Sequence, residues 1–139
     1  MKPAPDYVPA HGLLLGKSML VTAAAGAGIG FAVAKRAAEE GCRALFISDV
    51  HERRLNEAVE AIRKETGLQA VHGQLCDVSQ EDQVQSLVNA AHTQMGGIDV
   101  LVNNAGLGTS RRIVDMEDAE WHKVIDVTLT GTFRVTRAA

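Results

Sequence analysis

The apolar run Met19-Leu20-Val21 breaks off at a stretch of small residues, Thr22 to Gly30, in which glycine returns at positions 26, 28 and 30. A short continuous apolar run reads as a buried strand, and the pattern that resumes at Ile29 reads as a helix. A strand-to-helix turn this rich in glycine has two physical uses. Glycine enters the left-handed region without strain, and with no Cβ it lets a ligand approach the backbone. The free N–H groups at the start of the new helix, with the positive end of its dipole, suit a phosphate. A tight turn without a ligand calls for the same residues, so the rest of the chain must discriminate.

A helix is expected over 29–40, with Ile29, Val33 and Ala37 on one face and Gly41 as its stop. Ala44-Leu45-Phe46-Ile47 is the next apolar run and ends at Ser48-Asp49. A second helix over 52–65 carries Leu55, Val59 and Ile62, and residues 70–75 read as a third strand. Ser79, with Asp82 three residues on, reads as the cap of a third helix with Val84, Leu87, Val88, Ala91 and Met95 as its stripe. Ile98 to Val102 is a fourth strand, running into Asn103-Asn104-Ala105-Gly106. A last helix from about residue 117 carries Trp121, Val124, Ile125, Leu129 and Phe133. The expected fold class is therefore α/β: a Rossmann-type, doubly wound parallel sheet in three α-β-α layers, in the order 3-2-1-4. Residues 1–12, with all three prolines, are expected to form an extended or mobile arm, and 13–139 a dinucleotide-binding domain. Leu13-Leu14-Leu15 is expected to dock the arm on the body.

At 139 residues and 46% hydrophobic, the chain suits one domain with a real core. A net charge of -3 gives no broad electrostatic reason to expect nucleic acid or an anionic membrane. No apolar run is long enough to cross a bilayer, and the N-terminus lacks the layout of a signal peptide. Cys42 and Cys76 lack metal-type spacing; they can pair, but the reduced, cytoplasmic reading is preferred and no metal is expected.

In such sheets ligands sit outside the carboxyl ends of the strands. Asp49 follows Gly30 by 19 residues, close to the spacing at which an acid meets the ribose of a dinucleotide. Its carboxylate accepts hydrogen bonds from ribose hydroxyls and repels a 2′-phosphate. An acid capping the next helix is the plainer reading of the same residue. Asp77-Val78, at the end of the third strand, suits an adenine edge.

Taken together, Val21-Thr22, Gly28-Ile29-Gly30, Asp49 with Leu55, Cys76-Asp77-Val78 and Asn103-Asn104-Ala105-Gly106 resemble the short-chain dehydrogenase/reductase family over residues 17–139. His11-Gly12-Leu13-Leu14, Gly16-Lys17, Val21 to Gly26 and Ser48 to Leu55 are most similar to actinobacterial reductases of steroid-ring catabolism, which act on coenzyme A thioesters. The resemblance implies hydride transfer between a nicotinamide and an alcohol or ketone. It also implies cofactor contacts from Thr22, Gly26, Gly28, Ile29, Gly30, Asp49, Asp77, Val78, Asn104, Ala105 and Gly106. NAD is expected rather than NADP, because Ala27 and Val50 stand where NADP-preferring relatives tend to place a basic residue. Arg53 and Arg54 are read as solvated. A homo-oligomer, dimer or tetramer, is the implied assembly.

Three departures from the family pattern stand out. The glycine turn is one residue longer than usual, with Ala23 in the place of the usual first glycine. Thr128 occupies the position of an asparagine that organises a water; it is expected either to hold a water or to bond its own helix backbone. The only tyrosine is Tyr7, followed four residues later by His11, not lysine. A phenol titrates near pH ~10 unaided, so the family's acid/base tyrosine needs a nearby cation. The 139 residues are thus expected to be the cofactor-binding, N-terminal part of a longer reductase and inactive alone. A non-catalytic nucleotide-binding or scaffold protein is the alternative if the chain is complete. An S-adenosylmethionine-dependent methyltransferase shares the first turn and the acid, but Asn103-Asn104-Ala105-Gly106 argues against it.

Overall fold

Four parallel strands form one sheet in the order β3-β2-β1-β4, as the sequence predicts. The computed structural model describes Pro3 and residues 5–139. The strands are β1 (Ser18–Val21), β2 (Ala44–Asp49), β3 (Val71–Leu75) and β4 (Val100–Val102). The helices are α1 (Ile29–Glu39), α2 (Glu52–Thr66), α3 (Glu81–Met95), α4 (Asp118–Ile125) and α5 (Gly131–Ala138), with a 3-10 turn at Ile113–Asp115. Side chains alternate across the pleat and feed two cores. Met19, Val21, Leu45, Ile47 and Val71 pack under α1 and α2. Leu20, Phe46 and Val78 pack on the opposite face with α3 and with Val135 of α5. Burial on both faces accounts for the nearly unbroken apolar runs of β1 and β2.

Four local expectations are corrected. First, α1 buries Gly30, Ala34, Ala37 and Ala38, whereas Ile29 is 77% exposed. Small residues let this helix lie close on the sheet, while Val33 and Phe31 pack partly on the core and Ile29 is left outside. Second, Ser79 does not cap α3: the N-cap is Gln80, and Ser79 donates its hydroxyl to Asp77 Oδ1 at 2.7 Å. Third, the last helix is interrupted by a π-helical segment, Asp126–Thr130, between α4 and α5. Arg134 reaches back across it to Asp126 Oδ1 at 2.9 Å and also donates to the Asp126 carbonyl at 3.4 Å. Fourth, β4 is shorter than 98–102, and Asp99 lies ahead of it, accepting from Ser18 N at 2.8 Å and Ser18 Oγ at 3.0 Å.

The described part of the arm lies along α1. Tyr7 donates its hydroxyl to Glu39 at 2.6 Å, and the Arg36 guanidinium sits over the Tyr7 ring. Leu14 packs on the core, while Leu13 and Leu15 stay exposed. The anchor is Glu40, only 2% exposed. It accepts from His11 N at 2.9 Å and Leu13 N at 3.0 Å, and it pairs with Arg36. The Leu13 and His11 N–H groups, and then Arg36, outweigh burial and hold its carboxyl down at about 2. A carboxyl depressed in the fold contributes stability above its ordinary value, and that contribution is lost as pH falls through the folded value. Glu40→Gln is therefore expected to lower the melting temperature at neutral pH. The gap to the parent should close between about pH 4.5 and 2; a gap independent of pH would show that the charge on Glu40 is not what holds the arm.

Candidate functional site

Because all strands run parallel, their carboxyl ends emerge on one side. A cavity of about 310 Å³ opens there, lined by Ala23 after β1, Asp49 and Val50 of the β2 end, Asp77 and Val78 after β3, and Ala105 and Gly106 after β4. From the last helical stretch, Lys123 and Val127 close it. The volume is at the lower end of the range for small-molecule pockets, about 300–1,000 Å³. A second groove, about 1030 Å³, runs between the arm and α1.

The glycine turn is built against Asn104. Its Nδ2 donates to the carbonyls of Thr22 at 3.1 Å and Ala23 at 2.9 Å. Ala24 N donates to Ser48 O at 2.9 Å. Held on both sides, Ala23 adopts a left-handed φ of 52° that an L-residue rarely takes. This is the place of the usual family glycine, and the backbone there has the conformation for which glycine is suited. Gly26 also has a left-handed φ, 84°. Gly30 is required by packing: a Cβ would lie 2.5 Å from Asn104 Nδ2 and 2.6 Å from Ala23 O. At Gly28 a Cβ would meet nothing within 4 Å. Gly28 is the N-cap of α1, and no side chain caps the helix. Open N–H groups beside an open space fit the phosphates of a dinucleotide.

Asp49 is held by three backbone N–H groups. Its Oδ1 accepts from Val50 N at 2.9 Å and His51 N at 3.1 Å, which closes the turn after β2; it does not cap α2, whose N-cap is His51 with no side-chain cap. Its Oδ2 accepts from Ala25 N at 3.1 Å, which pulls the carboxylate across the glycine turn. A carboxylate has about four lone-pair sites. Three are engaged, so a ribose held through both hydroxyls displaces one backbone partner, and Ala25 is the one outside the acid's own loop. Asp77 is oriented by Ser79, whose N–H and Oγ both donate to Oδ1, at 2.9 and 2.7 Å. Its Oδ2 has no partner among the described residues.

Thr22 is buried behind the turn. Its Oγ1 accepts from Asn104 N and Ala105 N, both at 3.0 Å, so it braces β1 to the end of β4 instead of facing the cavity. Thr128 Oγ1 does not bond its own helix backbone. Its Oγ1 accepts from Leu107 N at 3.1 Å and sits 3.4 Å from Leu107 O, pinning the loop after β4. Ile29 is exposed at the start of α1 and lines the groove beside the arm, not the cavity. Cys76 lines the cavity, but burial, then Asp77 and Asp82, push its thiol up to about 11, so it is inert at neutral pH. Cys42 and Cys76 are both free and buried. Among the described residues no metal-type cluster occurs and no helix is long and apolar enough to cross a membrane.

Two features had no local sign in the sequence. Lys123 sits in a stretch that reads as solvated helix. The π segment, which brings Val127 to the cavity wall, depends on tertiary contacts: a Cβ at Gly131 would lie 2.6 Å from Val78 Cγ2.

The family model described as short chain dehydrogenase matches residues 17–139. The chain is 51% identical over 136 residues to (5R,7aS)-5-hydroxy-7a-methyl-1-oxo-2,3,5,6,7,7a-hexahydro-1H-indene-carboxyl-CoA reductase of Mycobacterium tuberculosis, covering 98% of this chain and 51% of the relative. The crystal structure of a short chain dehydrogenase from Mycobacterium smegmatis superposes with a TM-score of 0.92 at 49% identity, over 99% of this chain and 55% of that one. The actinorhodin polyketide ketoreductase with NADPH gives a TM-score of 0.81 at 35% identity, over 88% of this chain and 46% of that one. The chain spans about half the length of the curated relatives it matches.

Proposed function

The chain belongs to the short chain dehydrogenase family, and from that premise we propose that it is the nucleotide-binding part of a cytoplasmic, NAD-dependent reductase. The proposed substrate is a ketone, or the matching alcohol, on a ring-derived coenzyme A thioester. The substrate class is supported by the Mycobacterium tuberculosis relative, whose name describes a bicyclic carboxyl-CoA. Family membership removes the methyltransferase alternative. The observation that carries the cofactor reading is the meeting of Asp49, Asp77 and the open start of α1 at one end of the sheet. Gly28 and the first N–H groups of α1 would hold the pyrophosphate, Asp49 the adenosine ribose, and Asp77 with the Val78 N–H the adenine. Asn104, Ala105 and Gly106 would flank the ribose on the nicotinamide side. A nicotinamide, when bound, supplies or accepts the hydride. The residues of this chain would bind and orient it.

Among the described residues none is placed to act as the family's general acid, since Tyr7 lies on the outer side of α1 with its hydroxyl on Glu39. We therefore propose that these residues alone bind nucleotide without turnover. Fluorescence titration should show NADH bound more tightly than NADPH, because the charge of Asp49 is fixed at the turn. Asp49→Ala should narrow that preference by about tenfold, the scale of one charge-assisted hydrogen bond and one removed repulsion. Tighter binding of NADPH by the unaltered protein would overturn the assignment of Asp49. Reduction by a homogeneous 139-residue sample would overturn the division of labour.

A further inference from the structure

We propose that Lys123 is a nucleotide-contacting residue that lays its ammonium group against the adenine ring, an inference that rests on the cofactor reading above. Lys123 of α4 lines the same cavity as Asp77. Val127, four residues on, lines it too. Val78 and Val127 belong to the apolar cluster beneath, so the floor between the acid and the cation is apolar. A flat heteroaromatic ring with an amino group at its edge matches that surface. The free Oδ2 of Asp77 accepts the amino proton, the valines take one face, and an ammonium approaches the electron-rich ring.

Lys123 is exposed on α4, and two structural roles for such a lysine are missing here. The neighbouring cations are paired, Arg111 with Glu120, Arg112 with Asp115 and Arg134 with Asp126. Lys123 has no such partner among the described residues. Nor does it neutralise a helix end, because Asp126, which follows α4, is itself helical and the chain runs on through the π segment into α5. The cavity holds two carboxylates, Asp49 and Asp77, and this one cation. A 2′-phosphate is the other ligand chemistry a lysine could serve. It would have to sit beside Asp49, whose charge is clamped at the turn by Ala25 N, so the adenine ring is the better occupant.

The test is a fluorescence titration of the intact protein and its Lys123→Met and Lys123→Arg variants with NADH, NADPH and reduced nicotinamide mononucleotide, which lacks the adenosine half. Lys123→Met is expected to weaken NADH about two- to fivefold, the range of an exposed to partly desolvated cation–ring contact. The mononucleotide should be unaffected, and Lys123→Arg should keep the parent affinity. Unchanged NADH binding in Lys123→Met overturns the proposal, as does an equal loss for the mononucleotide. A larger loss for NADPH than for NADH reassigns the lysine to a phosphate and overturns it as well. If the unaltered protein binds none of the three, the cofactor reading itself has failed, and this inference with it.

Discussion

Alanine at position 30 is expected to destabilise the protein by about 3 kcal/mol, the upper part of the usual cost of overpacking, and to abolish nucleotide binding. The new Cβ would lie 2.5 Å from Asn104 Nδ2 and 2.6 Å from Ala23 O. Neither neighbour can retreat cheaply. The Asn104 amide is fixed by two carbonyls, and one of these, that of Ala23, belongs to a residue already held at a left-handed φ. Moving Asn104 also disturbs Thr22, which ties β1 to the end of β4. Stability and site geometry are therefore coupled at this one atom. Gly28→Ala is the control, since a Cβ there meets nothing within 4 Å and the residue has an ordinary extended backbone. That variant should unfold in urea like the parent while binding NADH less well, because the methyl enters the space left for phosphate. A Gly30→Ala protein as stable as the parent would mean that the turn relaxes and that Asn104 is not its rigid backing.

What could be read in the sequence, and what could not, follows from the range of the forces involved. The alternation of apolar runs and amphipathic stripes is local, so the strand order and the two buried faces were legible. So were Asp49 and Asp77, because a parallel strand delivers whatever follows it to one end of the sheet. Ala23 was legible only as a missing glycine. Its left-handed backbone is imposed by Asn104 and Ser48, about 80 and 25 residues away along the chain. Thr22 was read as facing a ligand, but its hydroxyl is spent on two N–H groups beyond β4, a pairing that exists only once the sheet has formed. Ser79 shows a competition that composition cannot resolve: the hydroxyl can cap α3 or orient Asp77, and the turn geometry chose Asp77. Lys123 is the plainest miss. On a helical wheel it is one more solvated lysine, and only the placement of α4 over the strand ends brings it to the cavity wall.

The isolated 139-residue polypeptide is expected to self-associate through β4 as its concentration rises. The strand is paired on one side alone, with β1. Parallel pairing leaves alternate N–H and C=O groups pointing away from the sheet, a template for another chain. Only its shortness blunts the Val100–Val102 edge: it has no proline and no charge, and Asp99, just ahead of it, is spent on Ser18. The last helical stretch offers a second apolar surface, with Trp121, Leu129 and Phe133 exposed by 47%, 63% and 56%. The two surfaces can be separated. Leu129→Glu combined with Phe133→Glu removes the helix face and leaves β4 untouched, so if the edge carries the association the double variant still grows in light scattering across the micromolar-to-millimolar range. If the double variant becomes monomeric, the helix face is the contact instead. A parent polypeptide that stays monomeric and unfolds cooperatively would show that the edge is already protected. The relatives are about twice as long as this chain. In a protein of that length, added chain that pairs with β4 would cover the edge and leave the helix face to join copies, and a homo-oligomer, dimer or tetramer, is what we propose for it.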